Sequence, residues 1–543
     1  MRCFCYFVGL ARSLVAAALL LNSVSLLASA EPAINVGTRK QLFVDYKFIR
    51  SGEGIRLTMH VPFQTGEKLV VADRPWEKGA HVYFYSSVMK EEGPDGVRIR
   101  LWYDVVSGNG HPGSGFRAVA YAESDDGIHF RKPILGLVEK DGSKQNNLVM
   151  PTDLSVMTVG GGSVLRDENP DCPPDKRYKS WSKAYCRQGK SEAEGELWSM
   201  IRGGHQMWHS ADGLHWHPYQ TVPTGLRAAD TQPTWFWDSR IGCYVGYSRE
   251  LPPRMVGYNE SDDFLHWENF SLALKADARD LGALAGFLPH SPLSKAPQKA
   301  AVVEPVFGKG WTVVAAMPLD FYGPGVFKYA EAEDVYVAMV PVYYHWRARL
   351  AGPSTADVQL AVSRDGRRFQ RLGGRRPFLR LGPEGSFASR WVWPLVQPIR
   401  MGDQLWIYYV GGNRDHAGRV DPKTAEHETA ISRAILRLDG FVSVDAEYGG
   451  ASFTTPPLVF EGSRLELNVD TSAGGVALVE LQDASGQPIP GHTLGEADEI
   501  NGNSVRFPVL WQANSDISQL AGRPVRLCFK LRDCHLYAFQ FVK

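Results

Sequence analysis

The chain has 543 residues, of which 44% are hydrophobic and 22% charged, a globular composition on a length too great for one ordinary core. Lys plus Arg and Asp plus Glu each number 59, so the formal net charge is zero, which excludes the basic excess of a nucleic-acid or anionic-membrane surface. Aromatic residues reach 11%, with 15 Trp, which suits β-rich packing with some rings left to line a groove.

The N-terminus reads as a secretory signal. Arg2 and Arg12 give a basic start, "SLVAAALLLNSVSLLASA" is a short apolar run, and "ASA" precedes Glu31. Residues 1–30 are therefore expected to be a signal peptide and the mature chain to be exported, periplasmic or extracellular. No later run is long and apolar enough to span a bilayer, so no membrane contact is expected after cleavage. Beyond the signal, Cys172, Cys186, Cys243, Cys528 and Cys534 are too scattered for a disulfide scaffold or a zinc site. Cys528 and Cys534 flank "FKLRD", which reads as a hairpin turn that a bridge could cross. No cofactor or metal is indicated, and a structural Ca²⁺ is left open.

From residue 80 onward a short pattern recurs. It appears as Ser124-Asp125-Asp126-Gly127 ending at Phe130, as Ser210-Ala211-Asp212-Gly213 ending at Trp216, as Ser261-Asp262-Asp263-Phe264 ending at Trp267, and as Ser363-Arg364-Asp365-Gly366 ending at Phe369. A degenerate copy, Asp439-Gly440-Phe441, closes the series. Asp-Gly accepts the positive φ of a tight turn, the Asp side chain satisfies turn amides, and the aromatic opens the next strand. Strand-like runs precede each copy: "HVYFYSSVM" and "IRLWYDVV", then "TVGGGSVLR" and "RYKSWSKAY", "PTWFWD" and "CYVGYSR", "DVYVAMVPVYY", and finally "RWVWPLVQPIR" and "LWIYYVGG". A β unit repeated in this way predicts an all-β fold, a five-bladed β-propeller over residues 31–445. After that point "RLELNVDTS", "GVALVELQDASGQPI", "VRLCFKLRD" and "HLYAFQFV" alternate without the repeat, which predicts a C-terminal β-sandwich over 446–543.

These hairpins, with a leader and a terminal sandwich, resemble the furanosidase-type superfamily of five-bladed propellers. That group includes invertase-like glycoside hydrolases of family 32 and arabinanase-like enzymes of family 43. "LFVDYKFIR", "NPDCPPDKRYKSW" and "DTQPTWFWDSRIGCYVGY" are similar to secreted bacterial invertase-like propellers of unassigned substrate. "LRDEN" at 165–169 echoes the invertase R-D-P element without its Pro. The resemblance implies a glycosidase acting on an oligo- or polysaccharide at the channel mouth.

Cleaving a glycosidic bond takes two carboxyl groups, one a general acid and the other a base or nucleophile. Acids at the starts of inner strands are the candidates. Asp230 opens the third unit beside Thr231 and Gln232, which can bond sugar hydroxyls. Glu331, Glu333 and Asp334 precede "VYVAM", read as the inner strand of the fourth unit. Asp45 follows the run "LFV" near the N-terminus, where the resemblance implies an acid. For substrate binding the candidates are His81 at the first inner strand, Gln232, Trp235, Tyr344, His345, Trp393 and Asp167, with Arg390 and Arg414 placed to meet anionic substituents. A propeller that binds carbohydrate without cleaving it, or a lyase or phosphorylase on the same scaffold, are the alternatives. A phosphorylase would need Arg, Lys or His converging beside one acid.

Overall fold

The computed structural model describes residues 31–94, 96–108, 115–150, 157–186, 204–219, 225–226, 231–250, 254–280, 300–302, 312–314, 319–344, 355–416 and 418–543. The expected signal peptide lies outside them. So do Asp230 and His345. The regular elements of the described chain are almost all β-strands and short 3-10 turns. No helix among the described residues is long and apolar enough to cross a membrane.

The chain runs through successive antiparallel meanders. The first is Ala80–Gly93, Gly96–Ser107 and Arg117–Ser124. The second is Met157–Arg166, Tyr178–Cys186, Gly204–Ser210 and His217–Pro218, and the third is Thr234–Asp238, Cys243–Glu250, Met255–Ser261 and Glu268–Leu274. In the fourth, the split strand Leu319–Phe321 and Val326–Lys328 precedes Tyr336–Tyr344 and Thr355–Ser363. In the last, Trp391–Pro394 and Ile399–Met401 precede Gln404–Gly412 and Thr429–Arg437. Phe63–Gln64, from near the N-terminus, supplies its outermost strand by pairing with Thr429–Arg437. The first strands of the meanders face one axis. Their C-terminal ends together line a cavity of about 1010 Å³, reached by Met89, Leu165, Trp237, Lys328 and Val396. Strands arranged radially about a channel in this way make a propeller.

The repeated motif sits at the outer end of each third strand. Asp126 Oδ1 accepts from the backbone of Ile128 at 2.8 Å and His129 at 2.9 Å, and Ser124 Oγ accepts from Gly127 N at 2.9 Å. The same bonds recur around Asp212 and Ser210. Gly127, Gly213 and Gly366 take φ of 76°, 76° and 73°. Their carbonyls accept from an aromatic on the second strand of the preceding meander: Tyr408 Oη to Gly127, Trp102 Nε1 to Gly213 and Tyr247 Oη to Gly366, each at 2.7 Å. A Cβ on Gly127 would lie 2.5 Å from Tyr408 Oη. The turn glycine is thus both a left-handed residue and the seat of a contact between neighbours. Phe264 takes this place in the third copy at φ 72°, and there Trp181 tilts over Trp267 instead, at 4.9 Å and 36°.

Two six-stranded sheets build the sandwich. One pairs Ile34–Gly37 and Ser51–Glu53 with C-terminal strands, and the other takes in Gln41–Leu42 and Ile55–Met59. Where the sequence reading ran the propeller from residue 31, the segment through Met59 therefore lies in the sandwich sheets. Such long-range pairing leaves no local mark in a sequence. Phe43 and Phe48 fill the sandwich core against Phe453, Phe529 and Phe539. Val525–Arg532 and Cys534–Val542 belong to opposite sheets, so the expected hairpin is a crossover at Asp533, φ 46°. Cys528 and Cys534 are free, as are Cys172 and Cys243.

Candidate functional site

The starts of the first strands form the mouth opposite the large cavity. The mouth holds a second cavity of about 230 Å³. Its apolar wall is a cluster of rings. Trp391 lies stacked with Tyr343 at 5.8 Å and with Trp393 at 6.4 Å, while Phe84 and Tyr322 flank it at 5.1 and 5.5 Å. Tyr322 Oη meets His416 Nε2 at 2.9 Å.

Buried carboxylates stand behind these rings. Asp104, on the second strand of the first meander, accepts from Arg117 Nε at 2.9 Å, and Arg117 lies over Tyr83 and Tyr85 at 4.8 and 5.2 Å. Gly160 makes room for that pair, since a Cβ there would fall 2.1 Å from Arg117 Nε and 2.5 Å from Asp104 Oδ1. The Gly-rich "VGGGS" is therefore a close approach at the channel. Asp320 opens the fourth meander and accepts from Arg254 Nη1 at 3.0 Å, with Arg254 over Tyr322 at 4.7 Å. Each acid accepts a charge-assisted hydrogen bond from a guanidinium, which fixes the direction of its carboxyl group.

The structure distributes the predicted residues unevenly. His81 lines the mouth cavity, and Trp393 stands in its aromatic wall. Gln232 is buried and donates to the carbonyls of Ser86 at 3.2 Å and Gly162 at 2.9 Å, tying two inner strands together. Trp235 is enclosed among Phe264 and Tyr244 and donates to Ser163 O at 3.0 Å. Tyr344 accepts from Gln359 Nε2 at 3.1 Å on the other face of its strand from Tyr343. Asp167 is buried against Lys179 and accepts from Tyr244 Oη at 2.7 Å, between the second and third meanders.

The four remaining acids stand at the far end of the channel. Tyr336–Tyr344 has partners on both sides, so it is a second strand, and the inner strand of the fourth meander is the split pair before it. Glu331, Glu333 and Asp334 follow that inner strand rather than start it, a correction to their expected place. Glu331 pairs with Arg400 at 2.6 Å, Glu333 with Arg39, and Asp334 with Lys47 at 3.7 Å. Asp45 caps Lys47 N at 3.0 Å and takes both arms of Arg364 at 2.9 Å. Burial pushes its carboxyl up, but Arg364 more than offsets this and holds it below the ordinary range. The pairs of Glu333, Asp334 and Asp45 join the N-terminal segment to the propeller, while Glu331–Arg400 links two of its meanders.

Sequence reasoning missed Asp104, Asp320 and the histidines opposite His81. Asp320 sits in "PLDFYGPG", where Gly323 and Gly325 disguise the strand, and Asp104 reads as an ordinary strand residue in "LWYDVV". It also missed Asp357, whose carboxyl is pushed up to about 7 by burial, with only partial relief from Arg380 and Tyr344. Asp357 neighbours Ala356 of the aromatic cluster but points to the opposite face. Among the described residues, His60, Asp445 and His535 bring metal-capable atoms within 4.8 Å of one another on the sandwich. They already satisfy each other through His535–Asp445 at 2.7 Å and His60–Ser443 at 2.6 Å.

No protein-family model and no curated protein matches the chain. Among solved structures it is similar to an N-acetylgalactosamine deacetylase from F. plautii in complex with blood group B trisaccharide, at 14% identity and TM-score 0.41, over 71% of this chain and 96% of that one. It is similar to a β-1,2-mannobiose phosphorylase from Listeria innocua at 11% identity and TM-score 0.42, over 70% and 98%. It is also similar to an exo-inulinase from Aspergillus awamori at 12% identity and TM-score 0.37, over 89% and 98%.

Proposed function

We propose that this chain is an exported glycosidase that holds a saccharide at the channel mouth and hydrolyses a glycosidic bond there with a pair of carboxyl groups. The observation that supports this most directly is the meeting, at the starts of the inner strands, of an apolar ring wall with buried carboxylates. A sugar presents an apolar face of C–H groups and an edge of hydroxyls, and it needs both kinds of surface. Asp320, held in place by Arg254, is suited to act as base or nucleophile. Asp230 remains the candidate partner by its place in the chain, one residue before Thr231 at the start of the third inner strand. Asp104, fixed by Arg117, is suited to orient a sugar hydroxyl.

The test is reducing-sugar release from a panel of plant, algal and bacterial glycans by the wild type, Asp320→Asn and Asp230→Ala. Release lost in both variants supports the pair. Release kept in both removes these acids from the chemistry. No release from any glycan by folded wild type removes the hydrolase reading.

A further inference from the structure

We propose that the mouth cavity is built to hold an oxyanion, a carboxylate, sulfate or phosphate group, on Arg414, His81 and His427 beside Trp391. This rests on the saccharide reading above and specifies the chemistry of what that site takes. Among the described residues the cavity is lined by Arg117, Arg414, His81, His416 and His427, and by one carboxylate, Asp415. That carboxylate is engaged: its oxygens accept from Arg419 N at 2.8 Å and Arg419 Nε at 3.1 Å. Arg117 is matched by Asp104. Arg414 is different. It stands exposed at the rim, and no side chain among the described residues accepts a hydrogen bond from its guanidinium.

The two histidines show the same excess. Their rings lie 4.7 Å apart at 62°, and neither has a hydrogen-bond partner among the described residues. Burial, then His427, Arg414 and Arg117, lower His81 to about 3, and burial with Arg414 lowers His427 to about 4. Burial first, and the neighbouring positive charge second, thus favour the uncharged imidazoles. An anion would reverse that balance. It would accept from the Arg414 fork and give each imidazole reason to hold a proton. A neutral sugar would leave Arg414 bonded to water alone.

Two sources carry this chemistry. The oxyanion can be a uronate or sulfate ester on the saccharide itself, or free inorganic phosphate. In the second case a phosphate oxygen bonds the anomeric carbon as the glycosidic C–O bond breaks. A mouth acid then gives its proton to the leaving oxygen, and the product is a sugar phosphate.

The experiment is calorimetric titration of the full chain with sodium sulfate, inorganic phosphate, galacturonate and galactose, repeated with Arg414→Ala and Arg414→Lys. The expected result is binding of at least one anion more tightly than galactose, weakened about tenfold or more in Arg414→Ala and partly restored in Arg414→Lys. Tight galacturonate or sulfate assigns the anion to the substrate. Tight phosphate, with phosphate-dependent release of a sugar 1-phosphate from neutral glycans, assigns it to the free ion. No anion binding to folded wild type, or equal binding in Arg414→Ala, overturns the subsite. Wild type that cleaves a neutral glycan yet binds no anion overturns the subsite and leaves the glycosidase. Wild type that binds an anion through Arg414 but cleaves nothing keeps the subsite and removes the cleavage.

Discussion

The two ends of the channel are made from the same strands and differ in how their charges are settled. At the far end the cavity is about 1010 Å³, and most of its charged walls are paired off: Lys328 with Asp238 at 2.9 Å, Glu331 with Arg400 at 2.6 Å and Asp403 with Arg506 at 2.9 Å, with Arg166 and Glu168 left exposed. At the mouth the cavity is about 230 Å³, and beside stacked rings it keeps two histidines and an Arg414 that is unmatched among the described residues. Volume alone would choose the far end. Unsettled charge next to an apolar plate marks a place that awaits a ligand, and completed ion pairs mark a place that holds the fold together.

Substitutions can break this contrast. The largest effect is expected at the mouth, where Asp320→Asn lowers glycan cleavage by about 100-fold or more while the unfolding free energy moves by only about 1–2 kcal/mol. Unchanged turnover would take Asp320 out of the chemistry. At the far end the pattern inverts. Asp238 is buried and bonded to Lys328, Tyr336 and Arg240, so Asp238→Ala costs about 3–5 kcal/mol in chemical denaturation. Its turnover per folded molecule should not change, and a large loss of turnover would count against a purely structural far end.

Acidity separates the ends further. Asp357, near the mouth rim, titrates in the fold at about 7, well above its ordinary value of 3.8. Its contribution is therefore fully present below about pH 4 and is lost as pH rises through 7. Asp357→Asn removes that loss, so the variant is expected to exceed wild type by about 1–2 kcal/mol above pH 7 and to match it in acid. Melting curves that stay parallel across pH would exclude the effect. Asp45, at the far end, shifts the other way, since Arg364 holds it below 3.8. Its contribution is present above its unfolded value and disappears as pH falls through the folded one. Asp45→Asn is expected to cost about 1 kcal/mol at neutral pH, closing toward zero in acid.

Features set by neighbouring residues were legible in the sequence. Ser124, Asp126 and Gly127 complete their own turn, so each copy announced a β unit without help from the rest of the chain. The position of His81 and Trp393 at strand starts was legible because those starts are visible as aromatic runs after polar turns. Placement failed where partners are distant. Nothing near Glu333 reveals that it meets Arg39, and "DVYVAMVPVYY" looks like an inner strand until the short Leu319–Phe321 and Val326–Lys328 are seen beside it. Asp104 and Arg117 stand 13 residues apart on neighbouring strands, a spacing that carries no signature by itself.

The pairing of Phe63–Gln64 with Thr429–Arg437, and of Ile34–Gly37 with Leu458–Phe460, has a consequence for cutting and building this molecule. The propeller strands run in one stretch from Phe63 to Arg437, but the sandwich is assembled from both sides of that stretch. A fragment beginning at 446 would lack Phe43 and Phe48 from its core, and one ending at 445 would leave the strands of 34–59 without most of their partners. During synthesis the first strands to emerge must wait for nearly the last. The two ends of the polypeptide act as a clasp, and assembly is completed only when the C-terminal strands arrive to fasten it.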